Sequence, residues 1–315
     1  YRAGEKWEPY VDVLRRRIEL EGNDVELIDL KYRLGRTLEQ HMSDAAGALE
    51  NYREILFLDQ AHEGARVALE ALLTNEDLAA EAASILEPIY ELREEWEKLI
   101  QALEILAKHE GDLAKRVGLL RKVAKAAATS LGDLGRAFDA SARALADDPA
   151  NAETRAELEA YAGQANAWDK LDSVLHGIAQ NLQDPALARD YWMRLGQINE
   201  RLGRIDDAAA RYGQVLTLDP ADAEGLAALD SLYRRTERWN DLISVFRKRI
   251  DLATDARERE ELYGQMAAVY EERLSQPEQA ISAYREVLAS DETSQVALGA
   301  LDALFTRQSM WAELA

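Results

Sequence analysis

Four tryptophans stand at an almost constant interval. Trp96, Trp168, Trp239 and Trp311 recur about every 72 residues, a fixed period of the kind that marks a repeat architecture. Ala137, Ala208 and Ala280 keep the same interval and drift by a single position just as the tryptophans do. They sit in three related segments, residues 135–149, 205–220 and 277–292, and a fourth copy runs from 43 to 60. Its Tyr52 corresponds to Ser141, Tyr212 and Tyr284. Two independent markers keeping one period mean that the chain is built of repeats, and repeats fix the architecture before any other feature does.

The first step is longer. Trp7 to Trp96 and Tyr52 to Ser141 are equal steps, and both exceed the later ones by the length of one helix and its turn. The extra length falls near 75–92, a stretch with helical spacing. The fragments at 68–73 and 84–90 both resemble 228–233, as a duplicated helix would. Such an insertion is expected to exchange inner and outer helices and to turn the superhelix at that point.

Each block has room for four helices, meaning two helix pairs. In 188–220 the apolar or small residues are Trp192, Leu195 and Gly196, then Ala208, Tyr212 and Val215. Within each group the spacing is three or four, one stripe along a helix. Leu202-Gly203-Arg204 reads as the turn between them, with Gly in the left-handed cap conformation. Asp219-Pro220 closes the second helix. Gly196 and Ala208 are small where paired helices must approach closely. Helix formers dominate and only 6 prolines occur in 315 residues, as an all-α chain requires.

That spacing resembles the tetratricopeptide repeat. Trp192, Leu195, Gly196, Ala208, Tyr212 and Pro220 match its pattern, and Asn199 stands where the family usually has Tyr. Residues 24–60 match through Leu34, Gly35, Ala48 and Tyr52, with Gln60 in place of Pro. Residues 260–292 match through Tyr263, Met266, Ala267, Tyr270, Ala280 and Tyr284. The alternate units are degenerate; 223–256 offers Leu226, Leu229, Tyr233, Trp239 and Phe246, with Leu242 where the family has Ala. A bulky residue there is expected to push that pair apart or alter its crossing angle.

The resemblance implies an all-α, right-handed α-solenoid of stacked antiparallel helix pairs, with about 16–18 helices in one solenoid over 1–315. Its sub-blocks run 1–92, 93–165, 166–237 and 238–309, and a further helix starts at 310–315. One helix pair cannot bury both apolar faces, so neighbouring pairs bury them for each other. Trp7, Trp96, Trp168, Trp239 and Trp311 each read as opening a helix, with inter-repeat packing as their role.

The formal net charge is −21, from 38 basic and 59 acidic residues. This repels phosphate backbones and anionic lipid, so neither nucleic acid nor direct membrane insertion is expected. Cysteine is absent, which excludes disulfides and thiolate sites. The four histidines, His41, His62, His109 and His176, lack metal-ligand spacing. Leu131-Gly132-Asp133-Leu134-Gly135 reads as a turn and not as a phosphate loop. No nucleophile, base and orienting group fall together, so no catalytic residue, metal or cofactor is expected.

The family's usual binding face is the concave one, lined by the first helix of each pair. The resemblance places Asp190, Met193, Arg194, Gln197 and Arg201 there, with Ser231, Arg234 and Arg235 on the next unit. A local basic strip in an acidic protein would suit an acidic peptide; surface arginines paired with neighbouring carboxylates are the plainer reading. The expected function is a non-catalytic protein-interaction scaffold, a fragment of a longer protein in a multi-protein assembly. A regulatory or targeting arm of an enzyme with chemistry elsewhere is the alternative. The composition suits a bacterial protein, with the cytoplasm the first expected location and the periplasm the second.

Overall fold

The computed structural model describes residues 7–310, and among them it contains seventeen α-helices and no strand. Trp311 and the further helix expected there lie outside the described residues. The chain divides into two compact units, residues 1–167 and 168–315.

The first unit holds α1 (Trp7–Leu20), α2 (Asp24–His41), α3 (Ala45–Leu58), α4 (Glu63–Leu72), α5 (Ala79–Leu92), α6 (Trp96–His109), α7 (Leu113–Ala126), α8 (Leu134–Asp147) and α9 (Ala152–Ala165). The second holds α10 (Trp168–Ala179), α11 (Pro185–Arg201), α12 (Ile205–Leu218), α13 (Ala223–Arg235), α14 (Trp239–Leu252), α15 (Ala256–Glu272), α16 (Pro277–Ser290) and α17 (Gln295–Arg307). Within each unit every helix packs on the next in the chain, and the short connections make neighbours antiparallel. Among the described residues, no helix is long and apolar enough to cross a membrane.

The boundaries follow local chemistry. Trp7, Trp96, Trp168 and Trp239 each begin a helix. Asn23, Asp44, Asp112, Asp133, Asn151, Asp184, Asp222 and Asp255 cap helices, each accepting hydrogen bonds from first-turn amides. Gly203 has φ +72° in the turn between α11 and α12, and Gly132 has φ +67° ahead of α8. Ahead of Gly132, α7 ends in a π-helical turn, Ala127–Leu131, that no sequence pattern marks.

The most extensive packing joins α2 to α3, α5 to α6 and α7 to α8 in the first unit. In the second it joins α11 to α12 and α15 to α16. The pair α13/α14, which carries Leu242, packs less extensively than α11/α12. The pair α5/α6 carries Leu99 at the equivalent position and packs closely, so the bulk of Leu242 alone does not set the extent of packing.

Small residues explain the close pairs. A Cβ built on Gly35 would stand 2.7 Å from Cε1 of Tyr52, and one built on Gly196 would overlap the Tyr212 ring. The Tyr52 and Tyr212 rings are almost completely buried. Their hydroxyls donate to carboxylates on the partner helix, Tyr52 to Glu39 at 2.9 Å and Tyr212 to Glu200 at 2.5 Å. Burial first, and the carboxylate second, hold both phenols well above their usual pKa, so each remains a donor.

Gly196→Ala is therefore expected to destabilise the second unit. Overpacking costs about 1–3 kcal/mol, of which helix propensity returns about 1. Gly118, exposed in α7 with open space around it, is the control. Gly118→Ala is expected to stabilise by about 0.5–1 kcal/mol. Urea unfolding of both variants measures the contrast.

Candidate protein-binding face

The eight residues singled out by sequence fall on two helices of the second unit. Asp190, Met193, Arg194, Gln197 and Arg201 fall within one stripe along α11, Met193 and Arg194 being adjacent and the other steps three or four, so they share one face of it. Ser231, Arg234 and Arg235 lie in the last turns of α13. Gln197, Arg201, Ser231, Arg234 and Arg235 are exposed, while Asp190, Met193 and Arg194 are half-buried. Met193 packs against the core formed by Ala208, Tyr212, Leu226 and Leu229.

Direct contacts join this face to its neighbours. Arg235 on α13 reaches Glu200 on α11. Arg234 on α13 donates to Gln265 on α15 at 3.3 Å. Further along, Arg307 on α17 pairs with Glu271 on α15 at 3.0 Å. Helices α11, α13, α15 and α17 are thus linked every second helix by polar side chains. Glu200 does double duty, taking the Tyr212 hydroxyl from α12 and the Arg235 guanidinium from α13.

Each arginine of the expected strip is engaged. Arg194 pairs with Asp190 one turn away at 3.4 Å. Arg234 pairs with Asp230 at 2.5 Å and lies 5.4 Å from the Phe246 ring centroid. Arg235 pairs with Glu200. Arg201 stacks on Trp168, 4.0 Å from the ring centroid. Four guanidinium groups therefore meet three carboxylates and one indole. Such half-exposed pairs are worth only about 0–1 kcal/mol each, so a competing carboxylate can displace them.

The stronger bridge lies at the N-terminal end of the face. Arg189 on α11 grips Asp222, the cap of α13, through two hydrogen bonds of 2.7 and 3.1 Å. It also reaches Glu224 at 2.6 Å. Asp222 in turn accepts the Gly225 amide at 2.7 Å. The Arg189 guanidinium is the main reason that the Asp222 carboxyl lies below its usual pKa.

The resemblance did not supply Arg189, Glu200, Asp222, Asp230 or Trp168. A signal for two of the links exists, since opposite charges recur at half a block. Glu200 and Arg235 are 35 residues apart, and Glu271 and Arg307 are 36 apart.

Residues 190–222 and 226–260 each match a family model described as tetratricopeptide repeat. Among solved structures, the chain is similar to the C-terminal part of a TPR repeat-containing protein from Cytophaga hutchinsonii. Identity there is 16%, coverage is 79% of this chain and 98% of that one, and the TM-score is 0.34. It is similar to a tetratricopeptide repeat protein from Parabacteroides merdae at 12% identity, over 88% of this chain and 98% of that one, with TM-score 0.27. It is also similar to YrrB, described as a TPR protein with an unusual peptide-binding site. Identity is 14%, over 61% of this chain and 97% of that one, with TM-score 0.32. No curated protein matches the chain.

Asp222→Asn keeps the cap but loses the charge that Arg189 grips. It is expected to cost about 1 kcal/mol at neutral pH. Because the folded carboxyl has the lower pKa, its contribution is present above the ordinary aspartate pKa and is lost as pH falls through the folded value. The gap between wild type and variant should therefore close in acid. Urea midpoints measured across pH test this.

Proposed function

We propose that this chain, a tetratricopeptide-like helical repeat protein, is a non-catalytic scaffold that binds partner proteins within a larger assembly. The observation that carries this reading is that the two matched repeats, 190–222 and 226–260, contain Asp190, Met193, Arg194, Gln197 and Arg201 of α11 and Ser231, Arg234 and Arg235 of α13. The partner segment is acidic. Its carboxylates exchange with those of Asp190, Asp230 and Glu200 for Arg194, Arg234 and Arg235, at small cost because the existing pairs are half-exposed. Arg201 offers a charge held in place by the Trp168 ring. Gln197 and Ser231 supply neutral hydrogen-bonding groups between the arginines.

The test is fluorescence anisotropy with a fluorescein-labelled peptide of alternating Glu and Leu. The double variant Arg194→Glu, Arg201→Glu is expected to weaken capture at least ~10-fold, since each reversal replaces attraction by repulsion. Binding should also weaken with added salt. An unchanged affinity in the double variant, with its helical content intact, would end the acidic-peptide reading.

A further inference from the structure

One helix pair of the second unit has each of its halves repeated elsewhere in the chain, apart from the other. α1 repeats α14: Trp7, Val13, Arg15, Arg17, Ile18 and Leu20 match Trp239, Val245, Arg247, Arg249, Ile250 and Leu252, position for position. α17 repeats α13: Leu298, Leu301, Asp302, Leu304 and Arg307 match Leu226, Leu229, Asp230, Leu232 and Arg235. α13 and α14 pack on each other. Among the described helices, no α13-like helix precedes α1 and no α14-like helix follows α17.

The α13/α14 contact shows what such faces take. Val245 joins Leu226, Leu229 and Leu232 in one apolar cluster, and Val245 and Leu226 are 3% and 7% exposed. Beside them Arg249 lies 4.0 Å from Asp230. The sister positions are open: Val13 is 41% exposed and Leu298 42%. Arg17 and Asp302 are exposed as well, and among the described residues neither forms an ion pair.

The charges on the two faces are complementary. On α1, Val13, Arg16, Arg17 and Leu20 share one stripe at helical spacing, while Glu8, Asp12, Arg15 and Glu19 share another. The first stripe contains the counterparts of Val245 and Arg249, so the side of α1 that matches the contact is apolar and basic, without a carboxylate. On α17 the matching side, Leu298, Asp302 and Phe305, carries a single charge, and it is acidic. Arg307 is engaged by Glu271 on α15. α6 and α10 also open with the recurring tryptophan, but they have Leu106 and Ile178 where α1 and α14 have Arg17 and Arg249.

We propose that α1 of one copy docks on α17 of a second copy and so reproduces the α13/α14 pair between molecules. Val13 packs beside Leu298 as Val245 does beside Leu226, and Arg17 meets Asp302 as Arg249 meets Asp230. Repeat units are stabilised by the next unit in line, and here that unit comes from another chain. Two different surfaces meet, so each copy keeps one face free and association continues into rings or filaments. None of these residues belongs to the acidic-peptide face on α11 and α13, so the inference stands apart from that reading.

Sedimentation velocity of the full chain is expected to show a mass that rises with concentration. Val13→Asp and Leu298→Asp, both at exposed positions, should each weaken association at least ~10-fold with circular dichroism unchanged. Arg17→Asp and Asp302→Arg should each weaken it too, and the double variant Arg17→Asp, Asp302→Arg should restore it. Val67→Asp, at an exposed apolar position on α4, should leave it unchanged. Removal of residues 311–315, where the sequence begins to repeat α14 after α17, should leave association at least as tight. A chain that stays monomeric at every concentration overturns the proposal. So does sensitivity to Val13→Asp without sensitivity to Leu298→Asp, which would mean α1 pairing with itself, or a charge swap that fails to restore association. Association lost with residues 311–315 would overturn it in favour of docking through that segment.

Discussion

Two helix pairs in this molecule are closed by a tyrosine ring laid against a residue with no side chain. Tyr52 lies over Gly35 and Tyr212 over Gly196, each closing the seam between the two helices of a pair. An exposed amphipathic helix has no stable place for its apolar face, so pairing is obligatory and the seam sets how close pairing can be. The ring alone would bury a hydroxyl without a partner. A glutamate on the facing helix, Glu39 or Glu200, removes that penalty. Sealing the seam thus also fixes a carboxylate near the surface, and in α11 the same Glu200 takes Arg235 from the helix after next.

That second role orders the rest of the surface. Ion pairs join helices two apart throughout both units: Arg121 to Glu157, Arg136 to Glu97 and Arg143 to Glu104 in the first. In the second, Arg189 meets Asp222 and Arg238 meets Asp206. Each exposed pair contributes little, and their repetition serves register more than stability. The high charge of the chain is therefore largely organised, with an acidic surplus left over. The same repetition makes departures from it informative.

The helices were legible because their markers are local. Tryptophans at helix starts, Gly132 and Gly203 at left-handed turns, and small residues opposite tyrosines each report on a few neighbouring residues. The state of the arginines was not legible. Arg194, Arg234 and Arg235 meet acids, the last of them on the helix before the previous one, and Arg201 meets Trp168 across a helix boundary. Such partners depend on which helices stand two apart, and spacing shows that only after the stacking is known.

Native-state hydrogen exchange across the chain tests most directly whether nearest-neighbour seams carry the stability. The account predicts graded protection within each unit, greatest in the closely packed pairs such as α2/α3 and α11/α12 and falling toward α1 and α17. Uniform protection of every helix, lost in one global step, would contradict it.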